Sequence, residues 1–280
     1  MGAEEVETNA LAQARAGHTF TFMGTGAGCG VPAFFCDCPA CNEARRDPRA
    51  RRGDCGVMVR GAESGATVLI DTPPDLRHQL IREDVRTIDE LLYTHAHFDH
   101  LGGLGELEYL VQLVKKEPLR TYGSAEALAG VAQEFHYMMY CLDRRELAPF
   151  DELELDGVRY TALPVTHAPG TFGYLIETPK TRLFYASDTG ALPAETAERV
   201  RDVDIMAMDA TFWKHNWSPD AHHSIQECIE EGLALGAKTL YLTHLAMHYD
   251  EPITLTQLEE YLQQYDGRVR PAADGLTLDI

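Results

Sequence analysis

Histidine and aspartate crowd into one decapeptide, Leu91-Leu92-Tyr93-Thr94-His95-Ala96-His97-Phe98-Asp99-His100, where an apolar strand-like run leads straight into an HxHxDH cluster. At a strand end, side chains two apart point the same way. His95 and His97 can therefore converge on one ion while the following turn aims Asp99 and His100 at a neighbouring one. Imidazole and carboxylate are donors that hold Zn, Mn or Fe and leave positions open for water. Gly102 and Gly103 follow and let the backbone crowd the site. A pair of close ions lowers the pKa of a shared water and stabilises charge growing on a phosphoryl oxygen, which is ester hydrolysis without a serine or cysteine nucleophile. The chain has no GxSxG elbow, and GTGAG at 24–28 lacks the Lys-Ser/Thr ending of a P-loop. GTGAGCG also lacks the GxGxxG spacing, so it reads as a tight glycine turn beside the site.

A second ligand cluster is Cys36-Asp37-Cys38-Pro39-Ala40-Cys41. Three thiolates at CxCxxC spacing can wrap one ion, and a fourth ligand from elsewhere would complete a closed tetrahedral structural Zn site. His248, in the same short segment as His244, is the candidate for that ligand. The competing reading is a redox or merely buried cysteine cluster. Cys29, Cys55, Cys141 and Cys228 lack such partners and read as packed thiols.

The elements that must position these residues follow from the hydrophobic pattern. Strands are expected at Thr19–Met23, Val57–Arg60, Thr67–Ile70, Glu90–Tyr93, Val158–Pro164, Phe172–Glu177, Arg182–Ala186, Asp204–Met208 and Thr239–Leu242. Helices are expected at Pro74–Glu83, Leu104–Lys115, Ala125–Phe135, Pro193–Arg201, Ser224–Leu235 and Thr254–Gln264, with Ser224 and Thr254 as N-caps. Two sheets covered by helices is the natural layered solution, in a single α/β domain over residues 19–280 behind a polar leader over residues 1–18. That leader is acidic where a signal peptide is basic, and no apolar run approaches the ~20 residues that span a bilayer. An odd set of seven cysteines suits a reduced compartment better than a disulfide framework. A cytoplasmic protein without membrane attachment is expected. With 24 Lys+Arg against 44 Asp+Glu the 280 residues carry a formal charge of −20, which argues against stable nucleic-acid binding.

The HxHxDH motif after a strand resembles that of the metallo-β-lactamase superfamily, and the resemblance extends down most of the chain. It implies an αββα sandwich of two mixed β-sheets flanked by helices. It also implies ligands at His167 in PVTHAPGTFGY, Asp188 in FYASDTG and His244 in LYLTHL. Carried over residue by residue, His95, His97 and His167 hold one divalent ion, Asp99, His100 and His244 the second, and Asp188 bridges both. The metals would be Mn or Zn. The combination GTGxxxGxPxxxCxCxxC with HxHxDH is more specific and resembles the PhnP branch of cyclic-phosphate phosphodiesterases in phosphonate metabolism. That branch has a structural zinc on three such cysteines and a nearby His, although HLAMH sets His244 and His248 one residue further apart than is usual there. The resemblance implies a small cyclic phosphodiester as substrate, either 5-phosphoribosyl 1,2-cyclic phosphate or a 2′,3′-cyclic nucleotide. Asp99 and His223 are then the catalytic residues, with His223 at a helix start giving a proton to the leaving oxygen and His222 as the alternative. Asp209, at the end of a strand, would orient a ligand imidazole.

Two rivals share parts of this pattern. A tRNA 3′-processing nuclease of the RNase Z type uses the same core but needs a basic surface or an RNA-binding arm. The PqqB cofactor-biosynthesis protein shares the cysteine-rich start and is not a hydrolase by expectation. The aromatic stretches Phe135–Arg145 and Phe212–Pro219 read as pocket lining, core packing or a homodimer contact. RRDPRARR at 45–52 reads as a solvated basic loop.

Overall fold

The computed structural model describes residues 17–249 and 251–280, so residues 1–16 of the expected leader lie outside the described residues. The first half of the chain supplies β1 (Thr19–Gly24), β2 (Gly56–Arg60), β3 (Thr67–Ile70), β4 (Glu90–Leu92), β5 (Leu119–Gly123) and β6 (Leu142–Glu146). The second supplies β7 (Glu152–Leu155), β8 (Val158–Pro164), β9 (Phe172–Glu177), β10 (Arg182–Ala186), β11 (Ile205–Asp209), β12 (Thr239–Thr243), β13 (Val269–Pro271) and β14 (Thr277–Asp279). They form two seven-stranded mixed sheets, ordered β14-β1-β2-β3-β4-β5-β6 and β13-β12-β11-β10-β9-β8-β7. In the first, β3 to β6 run parallel, and in the second β10 to β13 do.

Each central strand is buried on both faces, which is why it reads as a continuous apolar run. Along β1, Phe20 and Phe22 enter the core between the sheets while Met23 joins a second core on the outer face. Along β10, Leu183 and Tyr185 face the other sheet while Phe184 and Ala186 face helices. Burying one such Phe stabilises by roughly 1.5–3 kcal/mol. The helices α1 (Pro39–Arg46), α2 (Leu76–Arg82), α3 (Phe98–Leu101), α4 (Ala125–Glu134), α5 (Ala194–Arg199), α6 (Ile225–Ala234) and α7 (Leu255–Leu262) cover the outer faces. Leu76, Leu101 and Val131 pack on the first sheet; Ala44, Ile229 and Leu258 pack on the second. The result is the αββα sandwich.

The helix expected over Leu104–Lys115 is instead a 3-10 turn at Leu104–Leu107 and a π-helical turn at Leu110–Lys115. The latter ends on Lys116 in the left-handed region at φ 62°. Strands β5, β6, β7, β13 and β14 were not expected. β6 and β7 are edge strands whose residues are largely exposed and charged, so they lack an apolar signal.

Candidate metal centre

Every expected active-site ligand follows a strand whose C-terminal end reaches one edge of the sandwich, where the chain turns out of the sheet. His95 follows β4, His167 follows β8, Asp188 follows β10 and His244 follows β12. His97 is the N-cap of α3, and that short helix carries Asp99 and His100.

The structure brings all seven residues together around the Asp188 carboxylate. Its Oδ1 lies 3.1 Å from His100 Nε2, and its Oδ2 lies 3.2 Å from His244 Nε2, 3.8 Å from His167 Nε2 and 4.0 Å from His95 Nε2. Asp99 Oδ2 is 3.5 Å from His244 Nε2 and 3.6 Å from His100 Nε2. Ligand atoms of His95, His97 and His167 lie within 4.8 Å of one another, as do those of Asp99, His100 and His244.

Bonds behind the cluster fix which nitrogen faces inward. Thr94 donates its hydroxyl to Asp71 at 2.7 Å and so accepts from His95 Nδ1 at 2.9 Å. Thr211 likewise donates to Asp209 at 2.7 Å and accepts from His244 Nδ1 at 2.8 Å. His100 Nδ1 donates to Asp71 at 2.8 Å, and His167 Nδ1 donates to the Ala221 carbonyl at 2.9 Å. With Nδ1 protonated in all four rings, their Nε2 lone pairs converge. Nε2 of His95, His100 and His244, and Oδ1 of Asp188, are buried without any hydrogen-bond partner. His97 Nδ1 and His167 Nε2 face each other at 3.1 Å. So many opposed lone pairs repel unless cations lie between them, so the donor set fits two divalent ions.

Electrostatics agree with that fit. Burial, together with neighbouring His100, keeps the His95 imidazole well below its usual range and hence neutral. Burial opposes ionisation of Asp188, yet His100 and His244 hold its carboxyl well below the usual range. The same carboxylate, with Asp99, overcomes burial to raise both rings, His244 to about 9, so that without metal these two Nε2 take up protons where positive charge is called for. Two of the supporting residues adopt positive φ without being glycine, Asp71 at 68° and His244 at 53°. Such backbone is strained and persists where surrounding bonds over-determine it. Asp71 accepts from Thr94 N, Thr94 Oγ1 and His100 Nδ1, a role that its place in LIDTPPD did not disclose.

The profile of the beta-lactamase superfamily domain matches residues 66–245. The chain belongs to that superfamily. Among solved structures of the superfamily it is similar to a diphosphatase from the PhnP family, 29% identical with a TM-score of 0.81 over 94% of this chain and 98% of that one. An octanoyltransferase of Porphyromonas gingivalis is 24% identical over 91% of this chain, which spans half the length of that protein. Ribonuclease Z of Myxococcus xanthus is 24% identical over 83% of this chain and 94% of its own length. Coenzyme PQQ synthesis protein B of Methylobacterium radiotolerans is 27% identical over 68% of this chain and 71% of its own.

In this superfamily member the two adjacent histidines have opposite surroundings, and the expectation for His223 is corrected. His223 is buried with Nδ1 donating to the Thr189 carbonyl at 2.7 Å and Nε2 2.9 Å from Glu231, so both its nitrogens are taken up away from the cluster. His222 faces the cluster. Its ring stacks on His244 at 5.3 Å and 10°, a ring nitrogen lies within 4.8 Å of ligand atoms of His167 and Asp188, and Nδ1 is 2.7 Å from Asp209 Oδ2. The divergence starts at the capping box of α6. There Ser224 and Glu227 exchange side-chain and backbone bonds, and just before them the chain runs extended, bridged to Phe212, so that adjacent side chains point to opposite sides.

His223 should therefore report on stability rather than turnover. Burial lowers its pKa, but Glu231, Asp209 and the Thr189 carbonyl outweigh that and raise it above the ordinary 6.5. A raised folded-state pKa gives stabilisation that is complete below about 6.5 and is lost as pH rises through the folded value. The Tm deficit of His223→Gln relative to wild type is expected to be larger at pH 6 than at pH 9, measured by thermal melts.

The cysteine loop forms a second cluster. Ligand atoms of Cys36, Cys41 and His248 lie within 4.8 Å of one another, and Cys38, the N-cap of α1, accepts from Cys41 N at 3.4 Å. Cys29 departs from the packed-thiol reading. It is exposed, with Sγ 3.6 Å from His248 Nε2, whereas Cys55, Cys141 and Cys228 are buried. The basic run is structural as well as solvated. Buried Arg52 donates to Thr25 Oγ1 at 2.8 Å and the Ala272 carbonyl at 2.6 Å and contacts Met247 Sδ, tying this loop to the segment that carries His248. Among the described residues no helix is long and apolar enough to cross a membrane.

Proposed function

We propose that this chain is a binuclear metal-dependent phosphodiesterase acting on a small phosphodiester. The observation that carries the reading is the pairing of a convergent set of imidazole nitrogens and carboxylates, buried at His95, His100, Asp188 and His244 and open to solvent at His97, with one imidazole, His222, placed beside it and backed by a carboxylate. His95, His97 and His167 would hold one ion, Asp99, His100 and His244 the other, with Asp188 between them. Bound there, Mn or Zn ions supply Lewis acidity, lowering the pKa of water and drawing charge from a phosphoryl oxygen.

The chain's own residues supply the rest. Asp209 holds His222 by Nδ1 and is itself fixed by Thr189 N at 3.0 Å and Thr211 N at 2.8 Å. That fixes the ring through Nδ1–H and stabilises its imidazolium form, whose Nε2–H would give its proton to the leaving alkoxide, leaving the neutral imidazole protonated on Nδ1. The PhnP-family diphosphatase and ribonuclease Z both support hydrolysis at phosphorus, and ribonuclease Z supports a diester as the group cleaved. The charge of −20 favours a small ester over a long polyanion such as tRNA. Cyclic ribose phosphates and 2′,3′-cyclic nucleotides are the proposed substrates. Assay of the Mn- or Zn-loaded protein against these, bis(p-nitrophenyl) phosphate and a tRNA precursor is expected to show turnover of the small diesters. No hydrolysis of any diester with either metal would overturn the reading.

Cys36, Cys38, Cys41 and His248 are proposed to hold a structural Zn. Cys38→Ser is expected to lose one zinc equivalent and to lower Tm by roughly 10 °C, because site formation is coupled to ordering of the loop. Unchanged metal content and melting in that variant would show that the cluster holds no zinc.

A further inference from the structure

The segment Phe212–Pro219 contains both tryptophans, and the structure gives them different surroundings. Trp213 packs edge-on against Tyr261 at 4.9 Å and lies half-buried against the second-sheet core. Trp217 is 58% exposed, although an indole ring gains most from burial. It stands on Phe212, which is buried, with ring centroids 4.8 Å apart, and Phe212 in turn lies 6.1 Å from the His222 ring. Tyr249 flanks the pair, 6.3 Å from Trp217 and 6.1 Å from Phe212.

This aromatic wall borders the metal centre at both ends. At one end it reaches His222. At the other, a Cβ on Gly28 would lie 3.0 Å from the Tyr249 hydroxyl, and the Gly28 N–H donates to Asp99 Oδ2 at 3.2 Å. The wall is also held in place before any ligand arrives. Asn216 donates to the His222 carbonyl at 2.8 Å and to Glu227 at 2.7 Å, and His222 N donates to the Ser218 carbonyl at 2.9 Å. Trp217 and His222 therefore belong to one hydrogen-bonded loop. The lysine of the segment is turned to other work, with Lys214 Nζ 3.5 Å from Glu251 and over the Trp213 ring. What the loop leaves exposed near the cluster is thus the Trp217 indole, an apolar ring suited to another ring rather than to a second phosphate.

The geometry points to Trp217, backed by Phe212 and flanked by Tyr249, as a stacking platform for a nucleobase, so that the preferred substrate is a nucleoside phosphodiester rather than a base-free sugar phosphate. The proposal rests on the phosphodiesterase reading and narrows its substrate class. Stacking on an aromatic side chain is tolerant of base identity, so purine and pyrimidine nucleotides should both be accepted.

The test uses the metal-loaded protein and its Trp217→Ala, Trp217→Phe and Trp213→Phe variants. For adenosine 2′,3′-cyclic phosphate, Trp217→Ala is expected to raise KM roughly 10- to 100-fold with kcat within about twofold, and Trp217→Phe to recover most of the loss. For 5-phosphoribosyl 1,2-cyclic phosphate the same variant should leave KM unchanged. In equilibrium titrations, adenosine 2′-monophosphate should quench the fluorescence of Trp213→Phe, whose one tryptophan is Trp217, while ribose 5-phosphate should not. Equal effects on both substrates, or none on the nucleotide, would overturn the platform. Should wild type turn over neither diester, the phosphodiesterase reading fails by itself. The titration then judges the platform: quenching by the nucleotide alone supports it, and quenching by neither ligand or by both equally overturns it.

Discussion

Asp188→Ala is expected to leave a folded protein with the active-site ions lost and phosphodiesterase kcat/KM down by about 10³-fold or more. The size follows from position. The Asp188 carboxylate is within 4.0 Å of Nε2 in His95, His100, His167 and His244, so it is the one group shared by both triads of donors. Without it, His95 and His167 lose their carboxylate and only Asp99 remains beside His100 and His244, so the affinity of both halves falls together. The fold should persist because the strand that delivers Asp188 is fixed by its neighbours. Leu183 and Tyr185 lie in the core between the sheets, and Phe184 lies against the helices. Metal analysis with circular dichroism checks both halves of the claim. A variant retaining two active-site ions and full rate would refute the ligand assignment.

The second large effect separates adjacent residues. His222→Ala is expected to reduce kcat by about 10²- to 10⁴-fold for diesters with alkyl leaving groups, and by far less for nitrophenyl leaving groups that depart without a proton. Asp209→Asn should follow the same leaving-group dependence with a loss of roughly 10- to 100-fold, since it would weaken the bond that fixes the His222 tautomer. His223→Ala should leave kcat near wild type, its two nitrogens being committed to Thr189 and Glu231. The kinetics of the three variants across a series of leaving-group pKa values decide the matter. An equal loss for His222→Ala with nitrophenyl and alkyl esters would argue against proton donation.

These two predictions also show where the chain could be read directly and where it could not. His167, Asp188 and His244 each lie alone at a strand end and were placed only through the resemblance to the superfamily, whereas His95, His97, Asp99 and His100 fall within six residues and were legible from their own spacing. The cysteine loop was legible for the same reason. Asp71, Thr94 and Thr211 were not, because their role is set by bonds across the sandwich edge, such as Asp71 to His100 and Thr211 to His244. No spacing in the sequence encodes such contacts. His222 and His223 precede the same capping box, and only the backbone path into α6 decides which ring meets the metal centre. Among the elements, β1–β4 and β8–β12 were readable from their apolar runs, with bounds within a residue, whereas central β5 was missed because Arg120 and Thr121 interrupt its apolar run. Charged edge strands such as Leu142–Glu146 carry no comparable signal, because pairing on one side and solvent on the other demand little of their side chains. The stretch from Leu104 to Lys115 has helical composition but winds with 3-10 and π turns, a tertiary override of local propensity.

The most direct measurement is a titration of metal-free protein with Mn or Zn, following bound ions and hydrolysis of a 2′,3′-cyclic nucleotide in the same samples. Ions held by the cysteine cluster should bind without producing activity. Turnover should then rise with filling of two further sites and plateau when both are occupied, and those two sites should be missing in Asp188→Ala. Full turnover with the histidine sites empty, or with a single ion in them, would contradict a binuclear phosphodiesterase.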